Sequence, residues 1–202
     1  MRRLRLTIPA GNGFFAVAMA VAALALSATH ARADEFALGS DDAEVTIVEY
    51  ASMSCPHCAR FHKEVLPWLK ETYIDTGGVR LVFRDFPLNR SALFGAMLVH
   101  CAGPDRFFDV MDVLFRRQES WAFDDDPKVG LAALAPEAGL DAAAFDRCMA
   151  DEDLQLRIVE SRAAAIKEYE IDQTPSFLIA GKVLRGVLSP EEITELVDEA
   201  RR

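Results

Sequence analysis

The spacing of apolar residues changes several times along the chain, and each change marks a predicted element. Phe36-Ala37-Leu38 reads as a small edge strand, and Val45-Thr46-Ile47-Val48-Glu49-Tyr50 as a longer apolar strand. Over residues 55–73 the positions Phe61, Val65, Trp68 and Leu69 follow helical spacing. Pro67 inside that run predicts a kink, because proline removes a backbone donor. Gly77-Gly78 ends the segment, and Val79-Arg80-Leu81-Val82-Phe83-Arg84-Asp85-Phe86 then alternates in strand fashion until Pro87 stops it. Strand, helix and strand in that order favour a right-handed crossover between parallel strands.

Residues 90–170 are helical in pattern, with breaks at Gly103-Pro104, at residues 120–127 and at Gly139. The stripes Leu93, Met97, Val99 and Phe107, Val110, Met111, Leu114 predict packed faces, and Asp124-Asp125-Asp126 a solvated helix start. His62 and His100 read as surface or packing residues. After Gln173-Thr174-Pro175-Ser176 the runs Phe177-Leu178-Ile179-Ala180 and Val183-Leu184-Arg185 form a hairpin turning at Gly181-Lys182. Ser189-Pro190-Glu191-Glu192 opens a last helix with a cap, a proline at the first position and a capping-box glutamate, and Ile193, Leu196 and Val197 face inward.

Charge and the N-terminus narrow the class of protein. Arg2, Arg3 and Arg5 precede an apolar run over residues 14–26 that ends at the small-x-small pattern Ala31-Arg32-Ala33. This is the pattern of a signal peptide over residues 1–33, cleaved after Ala33. An uncleaved membrane anchor is the alternative, and it would need about 20 apolar residues. Export places the rest of the chain where disulfides form and persist. Four of the 22 Lys and Arg lie before residue 34 and all 32 Asp and Glu after it, so the remainder has 18 cationic against 32 anionic residues, a net charge of −14. Such a balance argues against nucleic acid as a partner. A hydrophobic content of 51% supplies material for one core-bearing domain.

The chemistry concentrates at Cys55-Pro56-His57-Cys58. Two cysteines at i and i+3 on a first helical turn can bridge. The first sits where unpaired N–H groups and the helix dipole favour a thiolate, so Cys55 is the nucleophile and Cys58, one turn further in, the resolving thiol. Pro56 suits an early helical position, and the His57 imidazole can stabilise the Cys55 thiolate. The same spacing would also serve as half of a zinc site, which needs a second close ligand pair; Cys101 and Cys148 are far apart in sequence.

Together, the strand, Cys-Pro-His-Cys at a helix start, kinked helix, second strand, helical insertion, Thr-Pro, hairpin and terminal helix resemble the DsbA-like branch of the thioredoxin superfamily across residues 34–202. The resemblance implies an α/β thioredoxin fold with a mixed central sheet. Residues 34–89 and 171–202 would form the thioredoxin-fold domain and residues 90–170 an inserted helical subdomain. It implies a cis Pro175 facing Cys55, with Thr174 and Pro175 binding an extended substrate peptide. It places Glu49 as a buried carboxylate beneath the dithiol. It likens Cys101 and Cys148 to a second, structural disulfide found in one subset, in keeping with an oxidising compartment and an even cysteine count. The implied activity is periplasmic thiol:disulfide exchange on unfolded or reduced secreted proteins by a monomer that needs no cofactor or metal and is reoxidised by a membrane-bound quinone-linked partner. Thr174 departs from the apolar residue common in strong oxidases. An isomerase or client-specific reductant is therefore a second reading, and a metal-binding or chaperone-like module a third.

Overall fold

The computed structural model describes residues 35–202, so the expected signal peptide lies outside the described residues. Among the described residues five strands form one sheet: β1 (Phe36–Leu38), β2 (Val45–Ala51), β3 (Val79–Asp85), β4 (Ser176–Ile179) and β5 (Lys182–Arg185), in the order β1-β3-β2-β4-β5. Only the β2–β3 pair is parallel, which makes the sheet mixed. A central strand is covered on both faces, and β2 accordingly becomes continuously buried from Glu49 to Ala51. Gly39, after β1, has φ +96° and lies so near the Val79 carbonyl that a Cβ would collide with it, so the edge strand can join β3 only through glycine.

The β2–β3 crossover begins with α1 (Pro56–Arg60), runs through a π-helical turn (Phe61–Val65) into α2 (Leu66–Leu69), and ends in a second π-helical turn (Lys70–Ile74). Pro67 thus sits between two stretches of wider winding, where its missing N–H breaks the regular ladder. The helices between β3 and β4 are α3 (Arg90–Cys101), α4 (Phe107–Arg116), α5 (Pro127–Leu134), α6 (Ala142–Met149) and α7 (Glu152–Tyr169). Four of their starts have a short polar side chain accepting from the first turn: Asn89, Asp126, Asp141 and Asp151. The last of these marks a break between α6 and α7 that the apolar pattern does not reveal. The chain closes with α8 (Pro190–Ala200), whose Ser189–Glu192 capping box is formed on both sides.

Two large clusters make the core. One packs Phe61, Leu69, Ile193 and Val197 against Ile47, Leu81 and Phe177 of the sheet. The other packs Met97, Phe107, Leu114, Phe115 and Trp121 around the active-site helix, reaching Cys55 and Cys58. A Cβ on Gly95 would strike the Trp121 ring, so a glycine lets α3 approach the indole closely. The hairpin turns at Ala180-Gly181, one residue earlier than expected. Both have positive φ (48° and 79°), as a two-residue hairpin turn requires, and this leaves Lys182 in β5.

Candidate active site

Cys55 is the N-cap of α1, at the carboxyl end of β2, and its side chain meets the loop before β4. The Thr174–Pro175 peptide is cis. In the thiol form Cys55 Sγ–H donates to the Thr174 carbonyl oxygen at 3.4 Å. Cys55 is held well below the ordinary thiol value, from 9 to about 5. The largest cause is the hydrogen bond donated by the Cys58 thiol; burial opposes it, and the Thr174 hydroxyl and the backbone N–H groups of Cys58 and His57 add to it. That hydroxyl is buried and makes no strict hydrogen bond in this geometry, so the sulfur is the group it acts on.

Cys58 is the opposite case. It is fully buried, and its thiol is pushed well above 9 by burial, by its bond to Cys55 and by the charges of Cys55 and Glu49. A dithiol so divided has one anion-ready sulfur and one that stays protonated until its neighbour is consumed.

The other sequence-selected residues distribute around this pair. Pro56 takes the first helical position and is exposed; the His57 ring is exposed too, and that residue acts on Cys55 through its backbone N–H. Glu49, on β2 between Phe83 and Phe177 of the flanking strands, is 0% exposed. Cys101 at the end of α3 and Cys148 on α6 are bonded, with Cα atoms 6.2 Å apart and a sequence separation of 47.

Three polar residues were not singled out for this site from sequence. His62 is no surface residue: it is 4% exposed and its Nε2 lies 3.1 and 3.0 Å from the two carboxylate oxygens of Glu49. Its spacing of four from Cys58, on one face of the helix, was the available signal. Gln118, buried, donates to the carbonyls of Met53 (2.8 Å) and Cys55 (3.1 Å), tying the insert to the active-site loop. Asn89 Oδ1 accepts both from Ala92 N, capping α3, and from the Ser54 hydroxyl beside the dithiol. His100, by contrast, packs on the Phe36 and Phe107 rings and pairs with Asp85 at 2.7 Å.

An open depression beside the dithiol is lined by Pro56, Ala59, Lys63, Arg117, Gln118 and Phe123. Phe123 is 59% exposed there. Among the described residues no group of three or more His, Cys, Asp or Glu is arranged to hold a metal ion, and no helix is long and apolar enough to cross a membrane.

Comparison with known proteins agrees with this geometry. A family model described as thioredoxin matches residues 32–199. A relative in Rickettsia prowazekii, named provisionally as a protein-disulfide oxidoreductase, is 28% identical over 83% of this chain; the chain spans 61% of that relative's length. Disulfide bond formation protein D of Bacillus subtilis is 27% identical over 80% of this chain and 75% of its own. The crystal structure of Wolbachia pipientis alpha-DsbA1 superposes with a TM-score of 0.76 and 31% identity, covering 83% of this chain and 91% of that one. The chain therefore belongs to the thioredoxin family, in its DsbA-like branch.

Proposed function

We propose that the protein is a thiol:disulfide oxidoreductase that donates the Cys55–Cys58 disulfide to reduced secreted proteins. The observation that carries this reading is the asymmetry of the dithiol, with Cys55 lowered to about 5 and Cys58 sealed in the core and raised. A stabilised Cys55 thiolate stabilises the reduced protein and so makes its disulfide an oxidant. A substrate thiolate attacks Cys55 Sγ, and the Cys55–Cys58 bond breaks with its electron pair passing to Cys58. A second substrate thiolate then attacks the mixed disulfide, and Cys55 leaves as the thiolate. The substrate loses two electrons and gains a disulfide.

In this reading the Thr174 and Pro175 backbone beside Cys55 receives the extended substrate chain. Exposed His57 adds positive charge near the sulfur when protonated, and Glu49 is the proton partner of Cys58. The depression with Phe123 gives unfolded segments an apolar contact. Cys101–Cys148 is structural. The compartment is the periplasm, reached by the signal peptide, and a membrane-bound quinone-linked protein restores the disulfide of the monomer. Thr174 keeps disulfide isomerisation, or reduction of one client, as the second reading.

The test is oxidative refolding of a reduced, disulfide-requiring client by the oxidised protein, with Cys58→Ser beside it. Wild type should restore client activity without added oxidant, and Cys58→Ser should accumulate a Cys55-linked mixed disulfide. A wild type that leaves the client reduced but rearranges a scrambled client would replace oxidase by isomerase.

A further inference from the structure

His62 is a buried titratable group beside Glu49 that has no part in the exchange steps above. It lies on the π-helical turn after α1, four residues beyond Cys58, so both face the same side of the helix. Its Nε2 meets both oxygens of Glu49, and the two side chains are shut away from solvent at 3% and 0% exposure. Packed against the ring are Glu49 from β2 and the rings of the neighbouring Phe61, of Phe83 from β3 and of Phe115 from α4, at 5.7, 6.4 and 4.4 Å between centroids. The charge of Glu49 acts on Cys58.

A lone buried carboxylate would be expensive, since burial disfavours a charge without a hydrogen-bonding partner. With neutral His62 donating its one Nε2–H, the pair carries a single negative charge. With one more proton the pair is net neutral, either as imidazolium and carboxylate or as imidazole and carboxylic acid. The two forms differ by one proton. Breaking the Cys55–Cys58 bond creates a need for that proton, because it leaves the electron pair on a sulfur walled in by apolar side chains.

We propose that Glu49 and His62 hold one exchangeable proton between them, and that His62 is a positioning residue through which Glu49 protonates Cys58 as the disulfide is cleaved. In the reverse step Cys58–SH gives the proton back to the pair as its sulfur attacks a mixed disulfide at Cys55, and the Cys55–substrate bond breaks with release of the substrate thiolate. Charge and electrons balance in both directions, with solvent reloading the pair between turnovers. This rests on the exchange function proposed above.

The experiment uses glutathione as the probe on the whole protein and on two variants. His62→Phe fits an apolar ring among Phe61, Phe83 and Phe115. His62→Gln keeps an N–H donor for the carboxylate but holds no proton. For each, two rates are followed across pH: attack of glutathione on oxidised Cys55, and release of glutathione from the Cys55 mixed disulfide by Cys58. The alkylation midpoint of Cys55 is followed as well. His62→Phe should slow the Cys58 step about tenfold or more while leaving the Cys55 midpoint in place. His62→Gln should recover part of that rate but with a changed pH profile. Should His62→Phe not fold, the His62→Gln profile decides. A His62→Gln profile that superimposes on wild type would overturn the shared proton, and so would a His62→Phe Cys58 step at the wild-type rate. A wild type that exchanges no disulfide with glutathione would instead remove the functional reading beneath it.

Discussion

Removing the second disulfide offers a quantitative test of how the insert is held. The Cys101–Cys148 bond joins the end of α3 to α6, and the chain between them carries α4, α5 and Gln118. With a sequence separation of 47 between the cysteines, the chain-entropy relation gives about 4 kcal/mol of stabilisation from restricting the unfolded state. Cys148 is 5% exposed, so truncation to Ala also forfeits some packing, on the order of 1 kcal/mol. For a domain of this size a loss of 4–5 kcal/mol corresponds to a fall of about 10–15 °C in Tm. The assay is thermal unfolding, by circular dichroism, of Cys101→Ala/Cys148→Ala beside wild type with the catalytic dithiol kept oxidised in both. The Cys55 thiolate midpoint should not change, because its donors come from Cys58, His57 and the Thr174 loop. A Tm within about 2 °C of wild type would refute the reasoning, since it would mean that the cross-link restricts nothing the unfolded chain explores.

Two further outcomes follow from the site. Because the Cys55 thiol is lower in the folded state (about 5) than in the unfolded chain (9), its contribution to the reduced protein's stability is full above pH 9 and lost as pH falls through 5; denaturant titrations across that window should show the reduced protein losing stability relative to the oxidised protein toward the acid end. Gln118→Ala removes the donor to both the Met53 and Cys55 carbonyls and should cost about 1–3 kcal/mol in urea unfolding, whereas a surface-like loss near zero would show that the loop is held without it.

Features governed by local chemistry were legible in the sequence. The β2 and β3 runs, the Ser189 capping box and the helix start at Cys55 each depend on residues within a few positions of one another, so their patterns survive in the linear text. Local chemistry misleads where tertiary structure decides. Ala180 accepts a positive φ because two paired strands demand it, and a lone alanine carries no such signal. Asp151 separates α6 from α7 inside a pattern that reads as continuous. Gln118 and His62 acquire their roles from partners 63 and 13 residues away, and a polar residue's spacing does not reveal which backbone or carboxylate it will meet. Glu49 was legible through the resemblance, whereas its histidine partner was not.

The central claim is that this fold turns Cys55 into a stable thiolate while Cys58 stays a thiol. A pH titration of thiolate absorbance on the reduced protein reads that claim directly. A single one-thiol step with its midpoint near 5 is expected, with no second step until pH exceeds 9. A first step near 9 would contradict the account, because Cys55 would then be an ordinary thiol with no physical basis for donating its disulfide.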